Sequence, residues 1–166
     1  MKLAEARDGD RVFIDANIFI YHFVGRSVEC KTFLDLCARR VLLGYTSTSV
    51  LGEVLHRGMI GEAVAKGIVT AKTAVRRLAA NPNLVKELTQ YQDDVDKIPQ
   101  MQIDILNFTT GNVAASAEIR KTEGLLTNDS FIVAVMRNHG ITKLATANGD
   151  FDHVGGLEIY KPTDLE

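Results

Sequence analysis

The chain has 166 residues and a mass of 18.2 kDa, the size of one domain that can bury a core without disulfides or a structural metal. Its hydrophobic content of 46%, charged content of 24% and mean hydropathy of +0.01 exclude a disordered or fibrous protein. The formal net charge of −2 gives no excess of basic residues, the usual mark of a nucleic-acid-binding protein. We expect a single domain over residues 1–166, with a helical segment at about 57–98.

The cysteines and the apolar segments indicate where the protein resides. Cys30 and Cys37 fall in one predicted helix, which places their Cα atoms about 10 Å apart, too far for a disulfide. Unpaired thiols suit a reducing compartment, and the N-terminal residues lack the pattern of a signal peptide. The longest apolar stretch, 12–24, is interrupted by polar residues and is too short to span a bilayer. These features predict a cytoplasmic protein without a membrane segment.

The first third of the chain alternates strand and helix patterns. A short apolar run at 12–14 predicts a buried strand that turns into a helix at Asp15 and Asn17. Ser27 is expected to cap a helix that continues to about residue 40. A short strand at 44–46 follows, and Thr48 stands where the cap of the next helix is expected.

The rest of the chain predicts further helices and then returns to the alternating pattern. Helices are predicted at 70–80 and 83–97, a strand at 101–108, and a helix at 113–122 that stops near Gly124. Residues 127–129 open a helix whose 131–136 section is apolar on every side, and strands follow at 142–146 and 157–160. This order predicts an α/β three-layer domain with a mainly parallel sheet, in which function lies at the carboxyl ends of the strands.

Two acidic residues in the first half have both a functional and a structural interpretation. Asp15 follows the first strand, where its carboxylate could hold a hard cation or simply cap the next helix. Glu53 lies about 60° from Val50 around its helix, at the border of the apolar arc, and could face a crevice. An exposed pair with Arg57, four residues later, is the favoured explanation for Glu53 taken alone.

Two further acidic positions lie in the second half. Asp129 occupies the first turn of an apolar helix, where stabilisation of the helix dipole is a sufficient explanation. Asp150 follows the strand at 142–146, together with Asn148 and Asp152, in what could be an ordinary polar loop. Because the expected sheet brings these positions to one edge, the carboxylates would repel one another unless a cation neutralised them. Mg²⁺ or Mn²⁺ suits a set of oxygen ligands.

Other chemistries lack their motifs. The four histidines show no metal-ligand spacing. The chain contains no G-x-x-x-x-G-K-[ST] phosphate loop, no G-x-G-x-x-G and no G-x-S-x-G nucleophile elbow. The two cysteines have no motif of a nucleophile or redox centre.

Four segments carry a resemblance to a known family. VFIDANIFIYHF resembles the opening motif of PIN domains, an apolar strand followed by Asp-x-Asn. TSTSVLGEV, LLTNDSFIVAVM and KLATANGDFDHV resemble the second, third and fourth motifs in order. The segments run from residue 12 to 154, so the resemblance to PIN-domain ribonucleases of the VapC-like kind covers nearly the whole chain.

The resemblance implies a Rossmann-like sheet and an endoribonuclease that depends on Mg²⁺ or Mn²⁺. It makes Asp15 and Asp129 the principal metal ligands, with Glu53 completing the site or holding its water. Asp150 would assist with a second ion or the attacking water. The mechanism would be in-line attack of a metal-activated water on the scissile phosphorus. Asn17 and Thr146 are expected as supporting contacts.

The partners and the biological role are open at this point. Members of the family are often toxins neutralised by an antitoxin that inserts into the active-site groove, and a homodimer is common, but PIN domains also serve in RNA processing. Many relatives carry an acid where this chain has Asn148, so Asn148, Asp150 or Asp152 could supply the fourth position.

Two alternatives to a nuclease stay open. One is a non-catalytic module that binds RNA or protein. The other is a phosphatase-like enzyme with Asp15 as nucleophile, which Asn17 disfavours because that chemistry prefers a second aspartate there.

Overall fold

The computed structural model describes residues 1–165, and its centre is a parallel sheet of five strands. The strand order is β3-β2-β1-β4-β5, and each neighbouring pair is parallel. The strands are β1 (Arg11–Ile14), β2 (Leu43–Ser47), β3 (Asp104–Leu106), β4 (Lys143–Ala145) and β5 (Glu158–Tyr160). The predicted α/β fold with a mainly parallel sheet is confirmed.

Helices connect every strand to the next except β4 and β5, which a short 3₁₀ turn at Gly149–Phe151 joins. Within residues 1–165 the α-helices are α1 (Ala16–Phe23), α2 (Val28–Ala38), α3 (Thr48–Ala65), α4 (Ala74–Ala80), α5 (Pro82–Lys86), α6 (Gln90–Asp96), α7 (Thr110–Glu123) and α8 (Thr127–Asn138). None of the described helices is long and apolar enough to cross a membrane.

The order of the strands places a crevice between β1 and β4. From β1 the chain moves outward to β2 and β3, and it then returns past β1 to β4 and β5 on the other side. Because such parallel crossovers are right-handed, the helices before and after this reversal cover opposite faces of the sheet. Ligands of doubly wound sheets bind where the strand order reverses, at the carboxyl ends of the two central strands.

The core forms around β1, whose residues Val12, Phe13 and Ile14 are fully buried. A run buried on both faces is what a central parallel strand requires. Cys30 and Cys37 are buried free thiols, as the spacing predicts. A smaller apolar cluster lies within the helical segment between β2 and β3, and its buried residues are Ala63, Val69, Ala74, Leu78 and Leu88.

Gly44 in β2 shows how tightly the core is filled. A Cβ added there would lie 3.1 Å from the side chains of Cys37, Ile103 and Ile14. A side chain at position 44 would crowd the packing of α2 on the sheet, because side chains in a core packed to crystal density have little room to move.

Several helix boundaries differ from the predictions for local reasons. Ser47, not Thr48, is the cap of α3, since its hydroxyl accepts from the Val50 amide while the Thr48 hydroxyl accepts from the Phe108 amide. The helix predicted from 70 begins only at Ala74.

The helix predicted at 83–97 is two helices, α5 and α6, with a break between them. The carboxylate of Glu62 on α3 accepts from the Thr89 and Tyr91 amides at 3.1 and 3.0 Å, and it also binds Lys66 at 2.7 Å. A carboxylate from another helix thus satisfies the exposed amides at the start of α6.

The C-terminal residues form a strap across the start of α2. The Asp164 carboxylate accepts from the Ser27 hydroxyl at 2.6 Å and from the Glu29 amide at 3.0 Å. In return, the Glu29 carboxylate accepts from the amide and hydroxyl of Thr163 at 2.7 and 2.6 Å. The strap ties the end of the chain to α2 by the same bonds that cap a helix.

Candidate active site

An acidic cleft of about 230 Å³ opens where β1 and β4 end. Its walls come from four elements that the sequence separates widely, namely α1, α3, α8 and the loop after β4. The lining residues are Asp15, Asn17, Tyr21, Glu53, Arg57, Asp129, Ala147 and Asn148. Three of the four predicted acidic positions therefore lie around one cleft.

Asp15 is held rigidly at the bottom of this cleft and is only 5% exposed. Its Oδ1 accepts from the Ala16 amide at 2.6 Å, and its Oδ2 accepts from the Thr146 hydroxyl at 2.6 Å and the Asn17 amide group at 2.5 Å. Asp15 is thus the cap of α1 and also lines the cleft. A carboxylate has about four acceptor sites, and one on Oδ1 is left by these contacts.

Asn17 and Thr146 join the ends of β1 and β4. The Asn17 side chain also donates to the Thr146 hydroxyl at 3.0 Å and accepts from the Ala147 amide at 2.9 Å. The Thr146 hydroxyl accepts from the Asn148 amide at 2.9 Å. Because all of these groups are satisfied, the network fixes Asp15 and the loop after β4 in one arrangement.

Glu53 reaches the cleft from α3 and is paired with Arg57. The Arg57 Nη1 lies 3.2 Å from Glu53 Oε1, and the two side chains are 42% and 29% exposed. This is the i,i+4 pair that the sequence allows as an alternative for Glu53. An exposed pair of this type contributes only about 0.3–0.5 kcal/mol, so it does not prevent Glu53 from serving the cleft.

Asp129 enters from the first turn of α8 and is contacted by Asn148. The Asn148 amide nitrogen lies 3.4 Å from Asp129 Oδ2, and Asn148 Oδ1 accepts from the Asp150 amide at 3.0 Å. Asp150 is exposed on the turn and is not among the cleft residues. Asp152 is directed to Lys161, 2.6 Å away. Of the three candidates for the fourth position, Asn148 is the one that lines the cleft, and the charge of Asp150 acts on Asp129 from the turn.

The cleft concentrates negative charge in a partly buried place. Burial is the main cause that raises the pKa of Asp15 to about 6, and the nearby charges of Glu53 and Asp129 add to it, against the lowering effect of the Thr146 hydrogen bond. Burial also raises the pKa of Asp129, with contributions from Asp150 and Glu53. Both carboxylates bind protons more tightly than exposed acids do, because burial disfavours their charged form.

The donors of the cleft fit a hard divalent cation in type. Asp15, Glu53 and Asp129 offer carboxylate oxygens, and their mutual repulsion is relieved by positive charge. Within residues 1–165, no three Asp, Glu, His or Cys side chains are placed so that they would hold an ion together without moving. Glu53 has the longest side chain of the three, is 29% exposed and is turned to Arg57, so it is the one that would move to meet the other two.

The sequence of the chain matches a family model. The model of the PIN domain matches residues 12–157. The chain belongs to the PIN-domain family.

Relatives of known name or structure agree with this membership. Ribonuclease VapC2 of Methanocaldococcus jannaschii is 29% identical over 156 residues, which cover 92% of this chain and 94% of the relative. The structure of VapBC2 from Rickettsia felis bound to a DNA fragment superposes with a TM-score of 0.59 at 18% identity, covering 92% of this chain and 98% of that one. A toxin–antitoxin complex from Klebsiella pneumoniae gives a TM-score of 0.57 at 22% identity, with 89% and 95% covered. The two structures support the PIN fold.

Two residues of the cleft were not expected from the sequence. Tyr21 lies one helical turn after Asn17 on α1, and Arg57 lies one turn after Glu53 on α3. Residues four apart share a helix face, so this spacing was the signal that could have identified both as cleft residues of the PIN domain.

Proposed function

We propose that this PIN domain is a metal-dependent ribonuclease that hydrolyses RNA phosphodiester bonds in the acidic cleft. The observation that carries the proposal is the meeting of Asp15, Glu53 and Asp129 in one cleft at the reversal of the strand order. The named activity of the VapC2 relative supports the same conclusion. Asp15, Asp129 and Glu53 would hold Mg²⁺ or Mn²⁺, with Asp150 next to them on the exposed turn.

The cleft residues have distinct parts in this mechanism. A bound divalent ion supplies charge neutralisation and an activated water for in-line attack on phosphorus. The Thr146 and Asn17 side chains keep Asp15 in place through the 2.6 and 2.5 Å hydrogen bonds. Asn148 orients Asp129 through its amide group. Asp150, whose charge acts on Asp129 from the exposed turn, would assist with a second ion or with the attacking water.

We also propose that the activity is that of a toxin with an antitoxin partner. The similar structure from Klebsiella pneumoniae is a toxin–antitoxin complex, and an inhibitor that enters the cleft would have to present positive charge to its carboxylates. A homodimer and a cytoplasmic location stay predictions. Light scattering of the purified protein would test the first, and arrest of growth on expression without a partner would test the toxin role.

A non-catalytic binding module is the second candidate. Asn148 places an uncharged amide beside Asp129, and within residues 1–165 the carboxylates do not converge on one point as they stand. A module of this kind would bind RNA or a protein without cutting RNA.

The deciding experiment is cleavage of labelled single-stranded RNA by the purified protein in Mg²⁺, Mn²⁺ or EDTA. We expect metal-dependent cutting by the wild type that Asp15→Asn and Asp129→Asn each abolish. Asp8→Asn is the matched control, since Asp8 is an exposed turn residue outside the cleft. Full activity in either cleft variant would refute the assignment. Binding of RNA without any cutting would favour the second candidate.

A further inference from the structure

We infer that Arg57 and Tyr21 form a nucleotide subsite at the edge of the acidic cleft. In this subsite Arg57 binds a phosphate next to the scissile one, and Tyr21 stacks on a neighbouring base. The inference rests on the proposed ribonuclease function and deepens it, since it assigns the contacts that hold single-stranded RNA.

Arg57 lies at the border of two cavities. It lines the acidic cleft and also a larger, mainly apolar groove of about 410 Å³ between α1, α3 and α6. This α1–α3 groove is lined by Ile20, Phe23, Val54 and Tyr91 among others. A strand of RNA whose scissile phosphate lies in the cleft must leave it past one of its walls, and Arg57 stands on the wall that leads into the groove.

The charge of the cleft requires a cation such as Arg57 for RNA to enter. The cleft is lined by three carboxylates, and among residues 1–165 its lining contains Arg57 as the single basic side chain. The charge of a divalent ion and one guanidinium together equals that of three carboxylates. With the ion alone, the cleft keeps a net negative charge that repels the phosphate backbone. Arg57 therefore completes the charge balance that lets a polyanion approach.

The present partner of Arg57 is easily exchanged for a phosphate. Its bond to Glu53 uses one of five guanidinium N–H donors, and the side chain is 42% exposed. Exposed i,i+4 pairs are weak, whereas arginine binds phosphate with two parallel hydrogen bonds. If Glu53 turns toward a bound cation, it releases Arg57. The guanidinium N–H groups of Arg57 are then free to bind a phosphate.

Tyr21 provides the surface for a base. Tyr21 lines the cleft one turn along α1 from Asn17 and is partly exposed. The Arg26 guanidinium carbon lies 5.6 Å from the centre of the ring, which adds positive charge beside it. Single-stranded RNA is bound in proteins by stacking of splayed bases on aromatic rings near basic groups. A protein segment could also enter the groove, but Arg57 and Tyr21 line the catalytic cleft itself, which favours the substrate.

The experiment measures kcat and KM for cleavage of single-stranded RNA by Arg57→Gln and Tyr21→Leu between 50 and 200 mM salt. We expect KM to rise roughly tenfold in each variant, from the loss of one stacked base or one phosphate contact, while kcat falls much less. In Arg57→Gln the slope of log kcat/KM against log salt should fall by about 0.7, the value for one lost contact with a single strand.

Two controls separate these contacts from general damage. Tyr21→Phe keeps the ring and should restore the wild-type KM, and Arg76→Gln removes an exposed arginine of α4 that lines neither cavity. A further test uses a set of RNA substrates, each of which lacks the base at one position. For the substrate that lacks the base stacked on Tyr21, Tyr21→Leu and the wild type should have equal KM.

The outcomes distinguish this inference from the proposed function. If wild-type cleavage depends on metal and on Asp15, but Arg57→Gln and Tyr21→Leu leave KM and the salt slope unchanged, the subsite is refuted and the nuclease stands. In that case, weaker binding of a protein partner by the same variants would assign the groove to that partner instead. If the wild type cuts no RNA, the subsite is refuted together with the function on which it rests.

Discussion

Replacing Asp15 by asparagine should change how the stability of the protein depends on pH. In the folded protein burial raises the pKa of Asp15 to about 6, from an ordinary value of 3.8. The folded state therefore binds a proton more tightly than the unfolded state. The stability that this proton provides is present below pH 3.8 and is lost as the pH rises to about 6.

The magnitude follows from the two pKa values. Since one pKa unit corresponds to about 1.36 kcal/mol, ionised Asp15 destabilises the metal-free fold by about 3 kcal/mol above pH 6, relative to the neutral acid. Asparagine at this position carries no charge. The asparagine side chain places an N–H donor against the donor of the Asn17 amide group, which lowers stability. Because both groups are neutral, this loss of stability is the same at every pH. The free energy of unfolding of the variant, minus that of the wild type, should thus rise by about 2–3 kcal/mol from pH 4 to pH 8.

Urea unfolding in EDTA at pH 4, 6 and 8 measures this difference. Asp8→Asn is the control and should follow the wild type at each pH. Mg²⁺ added at pH 8 should stabilise the wild type more than Asp15→Asn, because a ligand that binds only the folded state adds its binding free energy to the stability. A difference between variant and wild type that stays constant from pH 4 to pH 8 would refute the reasoning about the buried charge.

Three further substitutions test the structure around the site and in the core. Thr146→Val keeps the shape of the side chain but removes the hydroxyl that donates to Asp15. It should raise the pKa of Asp15 further and destabilise the protein by about 1–3 kcal/mol at pH 8. Equal stability of variant and wild type in urea unfolding would contradict this. Asp164→Ala removes the cap that the strap places on Ser27 and α2, and should cost about 1 kcal/mol in urea, with unchanged RNA cleavage. Gly44→Ala should lower the free energy of unfolding by about 1–3 kcal/mol, because the added Cβ would overfill the core. A melting temperature equal to or above that of the wild type would show instead that α2 can move to make room.

The elements nearest to the central strand could be predicted from sequence because their signals are local. The apolar run at 12–14 is buried on both faces, and Ser27 caps its helix as expected, with its hydroxyl accepting from the Cys30 amide. The break between α5 and α6 could not be predicted, because its cause is Glu62, more than 25 residues earlier in the chain. A helix pattern contains no information about a cap that another helix supplies.

The same distinction applies to the acidic cleft. The sequence by itself determined the type of fold and the acidic positions, because strand and helix periods and the order of the motifs are properties of neighbouring residues. It left open whether Asp15 was a cap or a site residue and which residue after β4 took the fourth position. The tertiary structure shows that Asp15 caps α1 and also lines the cleft, and that Asn148 is the residue after β4 whose side chain contacts Asp129 there. The physical reason is that a cleft at the reversal of strand order is built from segments more than a hundred residues apart, whose contacts exist only once the sheet has formed.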